Sequence, residues 1–207
     1  MDLLFIRHAE PERIAPGSST APADPILTDR GREQANRLAR WMGHEAVDAV
    51  VSSPLHRARE TAEVVGGELG MDVEVVDELM EYDARADYYI PVDELRETRD
   101  HHWRAMIEGR WEEIGGEDPD AFQRRIVPCV DALIERFPGG RVAAVCHGGV
   151  INVYLAALLG LERHLWFEPG YTSISRVAAA RTGERSVVTL NETAHLVATF
   201  DGTEEPA

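Results

Sequence analysis

Short apolar runs alternate with helical stripes from the first residues of the chain. Residues 2–6 (DLLFI) read as a buried strand. Residues 15–25 form a Pro/Ser/Gly loop. Residues 29–43 read as a helix with Thr28 or Asp29 near its N-cap. Residues 47–51 read as a second strand. The stretch SSPLHRARETAEVVGGEL then opens a helix, with Ser53 expected as N-cap and Pro54 at the first helical position. Residues 73–76 read as a third strand. Residues 77–117 break the rhythm with acids, aromatics and arginines, and a helix is expected around 93–108. Residues 118–137 read as a helix that Pro128 should kink or divide. Residues 141–146 (RVAAVC) are a fourth strand, and a helix begins at or just after His147. In the tail, SISRVAAARTGERSVVTLN reads as two strands joined around Thr182–Gly183, and HLVATF as a third.

Strands alternating with helices predict an α/β fold: a three-layer α/β/α sandwich with helices on both faces of a sheet. The tail hairpin adds antiparallel pairing, so the sheet is expected to be mixed and mostly parallel. The expected organisation is one domain, 1–207, in which 77–117 is a cap-like insertion over the active site.

Composition narrows the partners. The 207 residues carry 21 Lys+Arg against 37 Asp+Glu, a formal net charge of −16. Such a surface argues against broad binding of nucleic acid or an anionic membrane. The two cysteines, Cys129 and Cys146, make no disulfide framework, which fits a reducing compartment. The apolar run near Leu3 is too short for a signal-peptide core, and no stretch is long enough to span a bilayer. A cytoplasmic enzyme-like protein is expected. Whether it forms a homodimer is left open.

In open α/β sheets, ligands sit beyond the carboxyl ends of the strands. Arg7 and His8 follow the first strand, Ser52, Ser53 and Arg57 the second, Glu81 the third, and His147, Gly148 and Gly149 the fourth. The sketch therefore converges them on one rim. Their chemistry agrees. Two guanidiniums bind a phosphoryl dianion in fork geometry. Helix N-termini near Ser53 and Gly148 offer N–H groups. One histidine can attack phosphorus, and the second can stabilise the charge on its oxygens. A carboxylic acid can protonate the leaving alcohol and then deprotonate water. No metal and no nucleotide cofactor is required.

The ordered set FIRHAE, LTDRGREQA, SSPLHRARETA, ELMEYD, VAAVCHGGVIN and NETAHL resembles the histidine phosphatase superfamily, the phosphoglycerate mutase-like group. The resemblance spans Leu3 to about Leu196. It implies that His8 is the phosphorylated nucleophile and His147 the second histidine of the pocket. It implies that Arg7 and Arg57 bind phosphate, with Gly148 beside them. It implies that Glu81, in Leu79-Met80-Glu81, is the proton donor, with Asp83 and Glu78 as rivals. Two departures stand out. Ala9 replaces the usual Gly, and Glu10, Pro11, Glu12 and Arg13 replace a continuation that includes Ser or Thr and a downstream Asn. The second departure favours a phosphatase of small phosphomonoesters over a phosphoglycerate mutase. A non-catalytic phospho-ligand module is the third reading, and retention of both histidines disfavours it.

Other features have simpler readings. Cys146 has no following Arg in CHGGVINV and reads as a buried strand residue, not a thiol nucleophile. His101 and His102 are adjacent on a helix and lack a ligand at metal spacing. Arg59 is expected to pair along its helix. His195 reads as structural. Tyr88, Tyr89, Trp103 and Trp111 read mostly as cap core. Arg85, Arg104 and Arg110 could meet a second anionic group, but acidic neighbours offer each a partner.

Overall fold

Leu3, Leu4, Phe5 and Ile6 have no solvent exposure. Successive strand side chains point to opposite faces, so this one segment needs cover on both sides. Leu3 and Phe5 enter one core and Leu4 and Ile6 the other. Burying each such side chain contributes roughly 1.5–3 kcal/mol. The computed structural model, which describes residues 1–18 and 21–197, supplies that cover.

Six strands form one sheet: β1 (Asp2–Arg7), β2 (Ala49–Ser52), β3 (Val73–Val75), β4 (Arg141–Cys146), β5 (Ile174–Ala179) and β6 (Arg185–Glu192). Their order is β3-β2-β4-β1-β5-β6. Pairings among β1 to β4 are parallel, and β5 pairs antiparallel with both β1 and β6. On the Leu4/Ile6 face lie α1 (Asp29–Met42) and α2 (His56–Leu69), through Leu38, Met42, Ala58 and Val65. On the Leu3/Phe5 face lie two further helices, 119–136 and 148–159, through Ile126, Leu133, Ile151 and Tyr154. This is the expected α/β/α arrangement with a mixed sheet.

Four local expectations are corrected. Ser53 is not a helix N-cap: α2 starts at His56, after Leu55. The Ser53 hydroxyl instead accepts the Leu55 N–H at 3.3 Å and meets the His147 ring at 2.8 Å. The helix expected at 93–108 is two helices, α3 (Val92–Thr98) and α4 (His101–Ile107). Arg99 turns left-handed (φ 47°). Asp100 then caps α4 by accepting the N–H groups of His102 and Trp103. Pro128 does not divide α5 (Pro119–Arg136). Ile126, Val130 and Leu133 anchor that helix on both sides of it, and their burial outweighs a penalty of about 3 kcal/mol. Beyond α6 (Gly148–Leu159) and the β5–β6 hairpin, residues 194–196 form a 3-10 turn where HLVATF was expected to begin a strand. Residues 198–200 of that expectation lie outside the described residues.

The loop after β1 is tied down on two sides. Thr28 donates its N–H to the Glu10 carbonyl, and Gln34 accepts the Glu10 N–H at 2.9 Å. Ile14 and Tyr89 exchange two backbone hydrogen bonds of 2.9 Å, which links this loop to the 77–117 segment. Among the described residues, no helix is long and apolar enough to cross a membrane.

Gly31, in the first turn of α1, permits the approach to Glu10. A Cβ there would stand 2.1 Å from the Glu10 carbonyl oxygen, a backbone atom two residues from His8. Ala normally favours a helix over Gly by about 1 kcal/mol. Gly31→Ala should nevertheless destabilise the protein by about 1–3 kcal/mol through overpacking. Urea unfolding checks this, and a midpoint at or above wild type would contradict it.

Candidate active site

Strand register builds the site. Arg7 stands opposite Cys146 in the parallel β1–β4 ladder, so the next residues, His8 and His147, leave the sheet side by side. Their ring centroids are 5.1 Å apart. Ser52 stands opposite Val145 on the other side of β4, which brings Ser53 to the same rim. Arg57 comes from the first turn of α2 and is 1% exposed. Gly148 opens α6, whose first-turn N–H groups have no intrahelical acceptor.

A cavity of about 310 Å³ lies above this rim. Arg7, His8, Arg57, Glu81 and Gly148 line it, as does Asp83. His147 is brought into the cluster but is fully buried beside His8 and is not part of the cavity wall. Glu78, the other rival for the proton-donor position, does not line the cavity.

The hydrogen bonds fix where protons reside. His8 Nδ1 lies 2.7 Å from the Ala9 carbonyl oxygen. A carbonyl only accepts, so Nδ1 carries the hydrogen and Nε2 of the neutral ring holds the lone pair. The ring is neutral because burial, then Arg57 and Arg7, push its pKa well below the usual imidazole range. His147 is depressed for the same reasons: burial first, then Arg57, His8 and Arg7. Its Nε2 meets the Ser53 hydroxyl, and its Nδ1 is buried without a partner among the described residues.

Neither arginine is fully paired. Arg7 Nη1 donates to the Pro169 carbonyl at 2.6 Å, and its guanidinium lies 4.1 Å over the Tyr171 ring. Arg57 Nη2 reaches Asp83 at 3.5 Å, and its guanidinium lies 4.7 Å over Tyr89. The Nε atoms of both are buried without partners. Buried polar atoms are almost always hydrogen-bonded. Two such donors around one imidazole lone pair make a receptor for a compact polyvalent anion.

Glu81 is held by two backbone donors: Tyr82 N–H at 3.0 Å and Gly149 N–H at 2.8 Å. A Cβ on Gly149 would stand 2.2 Å from Glu81 Oε1, so any side chain there would displace the carboxylate. Burial, then the neighbouring Asp83, raises the Glu81 carboxyl to about 7 despite those bonds. Burial also raises Asp83, and Arg57 opposes that rise.

Sequence reasoning missed several residues here. Tyr171 stacks on Arg7 and approaches His8, with ring centroids 5.8 Å apart. It is set by Thr172, a β-branched residue in the left-handed region (φ 57°) whose N–H donates to the Arg7 and His8 carbonyls. Such a conformation costs on the order of 1–3 kcal/mol and persists only where the surroundings enforce it. His195 enforces it through a 3.0 Å bond to the Thr172 hydroxyl. Tyr89 and Trp111 are buried and Trp103 packs against the cap cluster, as expected, while Tyr88, Tyr89 and Trp103 also line the cavity. Arg59 pairs with Glu63. Cys146 is fully buried, and burial pushes its thiol pKa far up. Among the described residues, no group of three or more His, Cys, Asp or Glu could hold a metal ion.

The fold and this cluster define a phosphate-handling α/β protein. Residues 3–193 match the model of the histidine phosphatase superfamily (branch 1), and the chain belongs to that superfamily. It is 28% identical to phosphoserine phosphatase 1 of Hydrogenobacter thermophilus, over 94% of this chain and 93% of the relative. It is 31% identical to a glucosyl-3-phosphoglycerate phosphatase of Mycolicibacterium vanbaalenii, over 79% and 76%. It is 26% identical to a probable phosphoglycerate mutase of Salmonella paratyphi A, over 86% and 84%. Its fold matches the crystal structure of a phosphoserine phosphatase mutant of Entamoeba histolytica in complex with phosphoserine. That match has a TM-score of 0.74 and 23% identity, over 95% of this chain and 99% of the other.

The electrostatics are directly measurable. In an NMR titration, His8 and His147 should stay neutral well below the free-imidazole midpoint of about 6.5. Arg57→Met should move both midpoints upward by removing a nearby positive charge. A midpoint at or above 6.5 for either ring in the wild type would contradict the arrangement described.

Proposed function

We propose that this protein is a metal-independent phosphatase that hydrolyses small phosphomonoesters through a phosphohistidine on His8. The observation that carries the proposal is the neutral His8 ring, held at Nδ1 by the Ala9 carbonyl, in one cavity wall with two arginines whose buried Nε–H donors are unpaired among the described residues. Arg7, Arg57 and the Gly148 N–H hold the phosphoryl oxygens. Nε2 attacks phosphorus and the P–O bond to the alcohol breaks. The Glu81 carboxyl gives its proton to the departing oxygen. The Glu81 carboxylate then takes a proton from water, whose oxygen attacks phosphorus. The N–P bond breaks and inorganic phosphate leaves. In the tautomer with its hydrogen on Nδ1, His147 accepts at Nε2 from the Ser53 hydroxyl and offers the Nδ1 hydrogen to the phosphoryl charge. The 77–117 segment acts as the cap, and the site of action is the cytoplasm.

Glu81 fits the proton-transfer role better than Asp83. Its carboxyl, at about 7, is poised to give and retake a proton near neutrality, whereas Asp83 rests against Arg57. Hydrolysis fits better than mutase chemistry. A mutase must hold a substrate carboxylate as well as a phosphate, and beyond Arg7 and Arg57 the described cavity wall offers one arginine, the exposed Arg163. Glu10, in the altered continuation after His8, turns to Thr28 and Arg30 at the start of α1.

Turnover of p-nitrophenyl phosphate in the presence of EDTA tests the proposal. His8→Ala should lower it at least about 10³-fold, and retention of full activity would sink the mechanism. Below about pH 7 Glu81 holds its proton, so kcat/KM for an alkyl phosphate should fall as pH rises through about 7. Glu81→Gln should lose about 10²–10⁴-fold in kcat and that limb, and Asp83→Asn should keep the limb but move it to lower pH. Conversion of 3- to 2-phosphoglycerate primed by 2,3-bisphosphoglycerate, at a rate above hydrolysis, would favour the mutase.

A further inference from the structure

The cavity continues past the phosphate site into a chamber of unusual lining. Its wall includes Val92 before and within α3, Trp103 and Met106 from α4, and Leu165, Trp166 and Phe167 from the loop after α6. Several of these are only partly buried, although they pack against the cores on either side. Their remaining apolar surface faces space that water alone would fill.

Polar atoms in the same wall are already used. Asn152 Nδ2 donates to the Gly148 and Phe167 carbonyls, and its Oδ1 accepts from the Trp166 and Phe167 N–H groups. The Tyr88 hydroxyl donates to the Ile114 carbonyl. Glu168 is paired with Arg96 at 2.8 Å. These groups are closed to a sugar or a carboxylate, while His102, Tyr89 and the exposed Arg163 are further polar side chains of the wall.

The charges point the same way. Asp83 and Glu168 both line the cavity and would repel a second anion. Arg85, Arg104 and Arg110 are absent from the wall, and Arg110 is held by Glu108 and Glu113. Arg163 is exposed at its edge.

We infer that the alcohol half of the substrate is an apolar, ring-bearing group that carries no second anion. This deepens the phosphatase reading above and rests on it. The chamber takes the ring against Trp103, Met106 and Leu165 while Arg7, Arg57 and Gly148 hold the phosphoryl group. One methylene in an apolar pocket is worth about 10-fold or more in kcat/KM, so a ring should be decisive.

The test compares 2-phenylethyl phosphate with O-phosphoserine, 3-phosphoglycerate and ethyl phosphate on the wild-type protein. All four release alkyl alcohols, so leaving-group basicity does not set the ranking. The expected result is a kcat/KM for 2-phenylethyl phosphate at least about 10-fold above each of the others. Trp103→Ala and, separately, Met106→Ala should shrink that preference, read as the ratio of kcat/KM for 2-phenylethyl phosphate to that for ethyl phosphate. Leu165→Arg should raise kcat/KM for 3-phosphoglycerate and lower it for the phenylethyl ester. Equal or preferred turnover of O-phosphoserine or 3-phosphoglycerate by the wild type would overturn the inference and leave the phosphatase reading standing. Failure to hydrolyse any of the four, together with p-nitrophenyl phosphate, would overturn that reading itself.

Discussion

Arg7 faces Cys146 across the parallel β1–β4 ladder, and the chemistry at the rim follows from that alignment. The next residues on the two strands are His8 and His147, and the His8 N–H donates to the Cys146 carbonyl at 2.9 Å. On the far side of β4, Ser53 N–H donates to the Val145 carbonyl at 3.0 Å. On the far side of β1, the Arg7 N–H donates to Ser173, next to Thr172 and Tyr171. A one-residue slip of β1 would exchange its two faces. Leu4 and Ile6 would lose their partners on α1 and α2, and His8 would no longer meet His147. The burial that fixes the core therefore fixes the site.

That precision supports an arrangement that is electrostatically unfavourable when alone. Two guanidiniums share one buried rim, and the carboxylate nearest Arg57, Asp83, stands at 3.5 Å. Tyr171 and Tyr89 each present a ring to one of the cations. A cation over an aromatic face gains about 0.5–2 kcal/mol, which falls short of replacing water around a guanidinium. The remaining deficit has two effects. It adds to burial in keeping the imidazoles neutral, which leaves a lone pair on His8, and it favours a dianion at the rim.

Much of this was legible in the sequence because strands deliver residues to one rim by a simple rule. Arg7 ends β1, His8, Arg57, Glu81 and Gly148 each follow a strand, and all five line the cavity. The alternation around β1 and β4 gave the layers. What was not legible depends on contacts between distant segments. Ser53 looked like a helix cap because Ser-Pro is a common helix start, yet its hydroxyl is engaged by His147, 94 positions later. Tyr171 carries no motif, and its place is enforced by the Thr172–His195 bond. The break between α3 and α4 did have a signal, Asp100 before His101, which the acidic composition of 77–117 obscured. Gly149 was placed on the rim by the spacing, but its reason, room for the Glu81 carboxylate, is tertiary.

The pairing of Glu81 with Gly149 also bears on why the acid sits where it does. Two N–H groups on a carboxylate ordinarily stabilise its charged form and lower its pKa. Here burial and Asp83 outweigh them. Had Glu81 been buried without those donors, its carboxyl would be driven still higher and would keep its proton when the second step needs a base. Had Asp83 been absent, the carboxyl would sit lower, with burial, the larger raising influence, still opposing the donors and Arg57. Opposing influences of similar size leave the group able to act in both directions. The same Asp83 leans on Arg57 and stands in the cavity wall, so the residue that tunes the acid also discourages a second anion in the substrate. In the proposed mechanism one carboxylate thus bears both on the strength of the acid and on the substrate admitted, while taking part in neither bond-making step.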